Sequence, residues 1–151
     1  MDLRDDLSFF HLVADSYLRL VGQSLTPEGM TAEQGMRWLY EHALFAILAH
    51  NTAPDPVFVY GNKAAQRRFG YEWEELTALP SRLSAEAPER IERQRFLEKV
   101  TRNGFVTGYR GIRIAKSGKR FRIENATVWQ LIDIEGICHG QAAMLPQTVD
   151  V

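Results

Sequence analysis

Apolar positions recur along this chain first with a helical and later with a strand period. Over residues 8–21, Phe9, Phe10, Val13, Tyr17, Leu20 and Val21 fall on one stripe while Asp15 and Arg19 lie off it, which predicts an amphipathic helix. Gly22 ends that helix, and the segment GQSLTPEGM is a loop by its Gly and Pro content. A second helix opens at Thr31, where Gln34 three residues on completes a capping box. Met36, Leu39, Tyr40, Ala43, Leu44 and Ile47 follow at helical spacing. The stretch ALFAILAHN is apolar on every side, so periodicity leaves open where helix turns into buried strand.

Residues 54–76 hold the most informative pattern. Val57-Phe58-Val59-Tyr60 has the β-branched and aromatic content of a buried strand, and Gly61 breaks it. Asn62 stands at a helix N-cap, Ala64, Ala65 and Phe69 share one face of the short helix, and Gly70 supplies its left-handed end. A short acidic helix ends at Leu76, and TALPSRLSA is a turn-rich connection. Pro88 sits in the first turn of a longer helix with Ile91, Phe96, Leu97 and Val100 inward, terminated by Asn103-Gly104. Three strand regions follow, Phe105 to Ala115, Lys119 to Ile134 and Ile137 to Leu145, joined by turns at KSGK and Glu135-Gly136.

Two strands, small helices, a connecting helix and three strands resemble the PAS order. More narrowly, VYGNKAA, the LTALPSRLSAE phrase, the ERQRFLEKVTRNG helix and HGQAA resemble a MEKHLA domain, a PAS-like module found on plant homeodomain–leucine zipper regulators and as small stand-alone proteins. The resemblance implies an α+β PAS-like fold: a five-stranded antiparallel sheet with short helices on one face, preceded by one or two N-terminal helices. Residues 1–30 are then an N-terminal helix and loop, 31–146 the PAS-like domain, and 147–151 a frayed tail. It further implies a sensory or protein-interaction role without established catalytic residues. No homeodomain or zipper accompanies the module here, so a transcriptional role does not carry over.

Composition narrows the function classes. Apolar content of 45% and charged content of 25% are those of an ordinary globular domain. There is no apolar run of about 18 residues, and MDLRDDLSFF is acidic where a signal peptide is basic. The single Cys138 excludes an intrachain disulfide, and a cytoplasmic location is expected. Net charge is −1, but residues 89–122 carry 11 basic side chains against Glu89, Glu92 and Glu98. A polyanion surface is one reading of that asymmetry. Cations decorating wet faces, partly paired with those glutamates, is the reading preferred here, because no nucleic-acid-binding motif accompanies them.

Candidate chemistry is confined to binding. No nucleophile elbow, P-loop, dinucleotide fingerprint or HExxH motif is present, so no enzyme is expected. The four histidines lack metal-ligand spacing, and the connecting helix offers no axial histidine for haem. The flavin-binding LOV branch of the fold is the closest cofactor precedent. By resemblance, Ser81 stands at its adduct cysteine, Arg82 at its phosphate-binding arginine, Asn125 near its ring-edge asparagine and Gln141 at its ring-facing glutamine. Asn62, Ser81, Arg82, Asn125, Trp129 and Gln141 are thus the candidate ligand-contacting residues, with flavin the best single cofactor candidate. The first helix is equally suited to homodimerisation and to packing within the chain, and the sheet face is the other candidate dimer surface.

Overall fold

The computed structural model describes residues 2–151, apart from the side chain of Pro88. A 3-10 turn at Leu3–Asp5 leads into α1 (Leu7–Val21), which is N-capped by the Asp6 carboxylate and closed by Gly22 at φ +83°. Helix α2 (Ala32–Glu41) carries the full Thr31/Gln34 capping box. Strands β1 (Ala46–His50) and β2 (Phe58–Gly61) precede α3 (Lys63–Phe69), α4 (Trp73–Leu76) and a 3-10 turn at Ser81–Ser84. Helix α5 (Ala87–Asn103) then connects to β3 (Phe105–Ile114), β4 (Arg120–Ile132), β5 (Cys138–Leu145) and β6 (Gln147–Asp150).

The pairings are antiparallel throughout, in the order β2-β1-β5-β4-β3. The last residues correct the expectation of a frayed tail. Gln147–Asp150 pair with Phe121–Glu124 of β4, because β4 runs past the end of β5 and leaves backbone groups that the Thr148-Val149 segment can satisfy. Two further expectations fail for local reasons. Leu44 is 96% exposed, since α2 stops at Glu41 and Leu44 falls in the turn before β1. Ile91 is 63% exposed, since the buried stripe of α5 passes through Arg93, Phe96 and Val100 instead.

As expected, the short helices α3 and α4, with α5, cover one face of the sheet, and the preceding N-terminal helices α1 and α2 lie on the other. On one face Phe10, Val13 and Tyr17 of α1 and Met36 and Leu39 of α2 pack on Ile47, Trp129, Leu131 and Ala142. Tyr17 meets the Trp129 indole edge-on at 4.7 Å, and the indole N–H donates to Ser16 Oγ at 3.1 Å. The apolar stripe of α1 is therefore spent within the chain. On the other face α3, α4 and α5 enclose Leu48, Phe58, Phe69, Phe96, Val100, Phe121 and Val128. Gly61 permits this second layer, since a Cβ there would lie 2.2 Å from Leu76 Cδ2.

Candidate functional site

Between α5 and the sheet lies a cavity of about 60 Å³. Its walls are largely apolar: Leu48, Phe58, Phe69, Phe96, Val128 and Leu145 all contribute. Its polar members are His50 from β1, Ser84 from the 3-10 turn, Arg93 from α5, Tyr109 and Arg113 from β3, and Gln141 from β5. Strand alternation and helix period put them there. His50 shares parity with Ala46 and Leu48, Arg113 shares it with Tyr109, and Arg93 lies one helical turn before Phe96.

Gln141 faces His50 across the β1–β5 pair. The two strands touch because residue 140 is glycine: at φ +143°, a Cβ there would fall 2.0 Å from the His50 carbonyl oxygen. The Gln141 amide donates from Nε2 to Thr101 Oγ1 at 3.1 Å, whereas its buried Oε1 has no partner among the described residues. His50 donates from Nδ1 to the Asn51 carbonyl at 2.9 Å, and its buried Nε2 likewise has no partner. Burial, aided by the charge of Arg93, holds the imidazole pKa below its ordinary value. His50 is therefore neutral and Nε2 is an acceptor.

Arg93 and Arg113 are 8% and 7% exposed. Arg113 donates to the Ile112 carbonyl at 2.8 Å and to the Tyr109 hydroxyl at 3.1 Å, and that hydroxyl donates in turn to Glu92 Oε2 at 2.8 Å. Arg93 has no hydrogen bond or ion pair among the described residues. Burial first, and the neighbouring Arg113 second, push its pKa down to about 10. The rings of Phe96 and Tyr109 stack at 3.5 Å and 15°. This pair lines both the cavity and an open groove between α5 and β3, and so partitions one from the other.

Of the six residues expected to contact a ligand, Gln141 alone lines this cavity. Asn62 is wholly buried, accepting from Ile47 N and Ala65 N and donating to the Leu39 and Phe45 carbonyls, which leaves nothing for a ligand. Ser81 is buried with an unpartnered hydroxyl, but Ser84, one turn later, is the serine that reaches the cavity wall. Arg82 turns outward to Asp55 at 3.1 Å. Asn125 occupies a β4 bulge at φ +53° with an exposed side chain. Trp129 has the opposite strand parity to Val128 and faces α1. Sequence reasoning missed Arg93, Arg113 and His50. The available signal was a polar or charged residue standing on the apolar phase of an element.

A flavin does not fit these residues. The cavity is about 60 Å³, whereas drug-sized ligands occupy about 300–1,000 Å³, and Arg82 and Asn125, expected at the phosphate and the ring edge, lie on the surface. Five of the eleven basic side chains of residues 89–122 are ion-paired among the described residues. Lys116 pairs with Glu75, Arg120 with Glu86, Arg110 and Arg122 with Glu124, and Lys119 with Asp150. The pairing expected with Glu89, Glu92 and Glu98 gives way to partners brought in by the fold. Among the described residues no cluster of three or more potential ligands could hold a metal, and no helix is long and apolar enough to cross a membrane.

A family profile described as the MEKHLA domain matches residues 7–149. No curated protein matches the chain. Among solved structures, a PAS domain from Colwellia psychrerythraea is similar at TM-score 0.59 and 18% identity, covering 74% of this chain and 90% of that one. An RNA-binding light-oxygen-voltage receptor is similar at TM-score 0.66 and 22% identity, over 85% of this chain and 35% of that one. A LOV protein of Rhodobacter sphaeroides is similar at TM-score 0.60 and 10% identity, over 76% and 64%.

Proposed function

The chain belongs to the MEKHLA domain family, and we propose that it is a non-catalytic, cytoplasmic sensor whose signal is a small molecule held between α5 and the sheet. The observation that carries this reading is Gln141. It stands on the central strand β5, holds Thr101 of α5 through Nε2, and presents an unpartnered Oε1 inside a cavity. A ligand that supplies a donor to Oε1 changes the hydrogen bonding of β5, and the opposite face of the same strands carries Ala142 and Trp129 against α1. The output surface is accordingly the outer side of α1, where Leu18 remains 53% exposed and available to a partner or a second copy. Ser84, the cavity hydroxyl, donates to the Ser81 carbonyl at 2.8 Å instead of to a base, which supports binding over nucleophilic chemistry.

A thermal-shift screen of small metabolites tests the reading, run in parallel on the wild type and on Ala143→Phe, which fills the cavity from β5. The reading expects at least one compound that raises the wild-type Tm by several degrees and leaves the filled variant unmoved. Compounds that act equally on both proteins, or an absence of stabilising compounds, would refute it. The purified protein is expected to be colourless; a structured flavin absorption band would restore the cofactor reading.

A further inference from the structure

We propose that the cavity ligand is a short hydroxy-monocarboxylate, its carboxylate taken by Arg93 and Arg113 and its hydroxyl donating its one proton to Gln141 Oε1. This rests on the reading of the cavity as a ligand site and adds the chemical class.

The charge argument comes first. Two arginine residues, each less than one-tenth exposed, line one small cavity that no carboxylate lines among the described residues. A buried charge without a counter-ion is costly. Arg113 is compensated through Tyr109 to the exposed Glu92, but Arg93 has no partner among the described residues. Burial and the proximity of Arg113 both act against the charged form of Arg93, which stays protonated at neutral pH all the same. An anion inside the cavity removes the imbalance, and the planar guanidinium fork matches a carboxylate.

The remaining polar atoms define the rest of the ligand. Gln141 gives its N–H to Thr101, and Thr101 is an acceptor there, so Oε1 is correctly an acceptor and lacks a donor. His50 Nε2 is in the same position, because Nδ1 carries the proton given to Asn51. An orphan acceptor beside two cations asks for a donor attached close to the carboxylate, and the one hydroxyl proton of a hydroxy acid meets that need at Gln141 Oε1. Size sets the limit. If one water needs about 10–15 Å³ by this measure, then about 60 Å³ takes about four to six water-sized groups. That is a chain of about three carbons bearing a carboxylate and a hydroxyl, its methyl end against the apolar wall. Entry runs from the outer groove past the stacked Phe96 and Tyr109 rings.

Calorimetric titration of the full chain with lactate, propionate and lactamide tests the class. The inference expects lactate to bind, propionate to bind about tenfold more weakly, and lactamide to give no measurable heat. Arg93→Gln should weaken lactate at least tenfold, while its own Tm without ligand stays level or rises, since an unpaired buried charge is removed. Gln141→Leu should erase the preference for lactate over propionate. Lactamide binding as tightly as lactate, or Arg93→Gln binding lactate normally, would overturn the carboxylate assignment. So would an absence of lactate binding. In each case the metabolite screen on wild type and Ala143→Phe decides separately whether the cavity is a ligand site.

Discussion

Asn62 and His50 show how single side chains set the behaviour of this fold. The Asn62 amide ties the end of α2, the start of β1 and the first turn of α3 through both its oxygen and its nitrogen. Asn62→Ala leaves those backbone groups buried and unpaired, at about 1–3 kcal/mol for each group that water cannot reach. A loss of about 3 kcal/mol or more in denaturant unfolding is expected, and a loss under about 1 kcal/mol would contradict the tie. The sequence marks Asn62 as a cap, since capping is local, but its bonds to Leu39 and Phe45 need the folded chain. His50 makes a pH prediction. Its folded pKa lies below the ordinary 6.5, so the unfolded chain takes up the proton first as pH falls. Stability from this group is complete above 6.5 and declines below it, toward the lowered folded value. Unfolding free energies measured between pH 7.5 and 5 should fall in the wild type and fall less in His50→Gln; identical slopes would refute the assignment.

At the scale of elements, local chemistry was legible and long-range pairing was not. The Thr31 capping box, the Asn62 cap and the left-handed glycines at 22 and 70 are all written in adjacent residues, and the structure keeps them. The change from α2 to β1 was not readable, because residues 43–49 are apolar enough for either state. Strand β6 was not readable either, because what orders it is the unpaired length of β4, more than 20 residues upstream. The partner of α1 was the third gap: an apolar stripe does not say whether its own sheet or another copy covers it. The fold answers with Trp129, whose ring is fully buried under Tyr17 and Ser16. Deleting residues 1–22 should therefore bare Trp129 and Leu131 and lower stability by at least about 3 kcal/mol. Size-exclusion chromatography should show association; a well-folded monomer of unchanged stability would contradict the packing role.

For the whole molecule, the order of elements sufficed to predict a PAS-like sheet, while of the residues expected to contact a ligand only Gln141 lines the cavity proposed as the ligand site. Resemblance pointed to Arg82 and Asn125, which the fold directs to the surface, and passed over Arg93 and Arg113, which it buries. The physical reason is that position along a motif is inherited from the family's backbone, whereas the side-chain set of a cavity belongs to each chain. The most direct test of the central claim is an amide 1H–15N NMR titration with the metabolite that stabilises the protein most. The account predicts shifts concentrated on His50, on residues 93–101 of α5, and on Gln141 and Ala142, with smaller changes reaching Trp129 and Ser16. Shifts confined to surface loops, or spread evenly over the chain, would contradict a ligand site between α5 and the sheet.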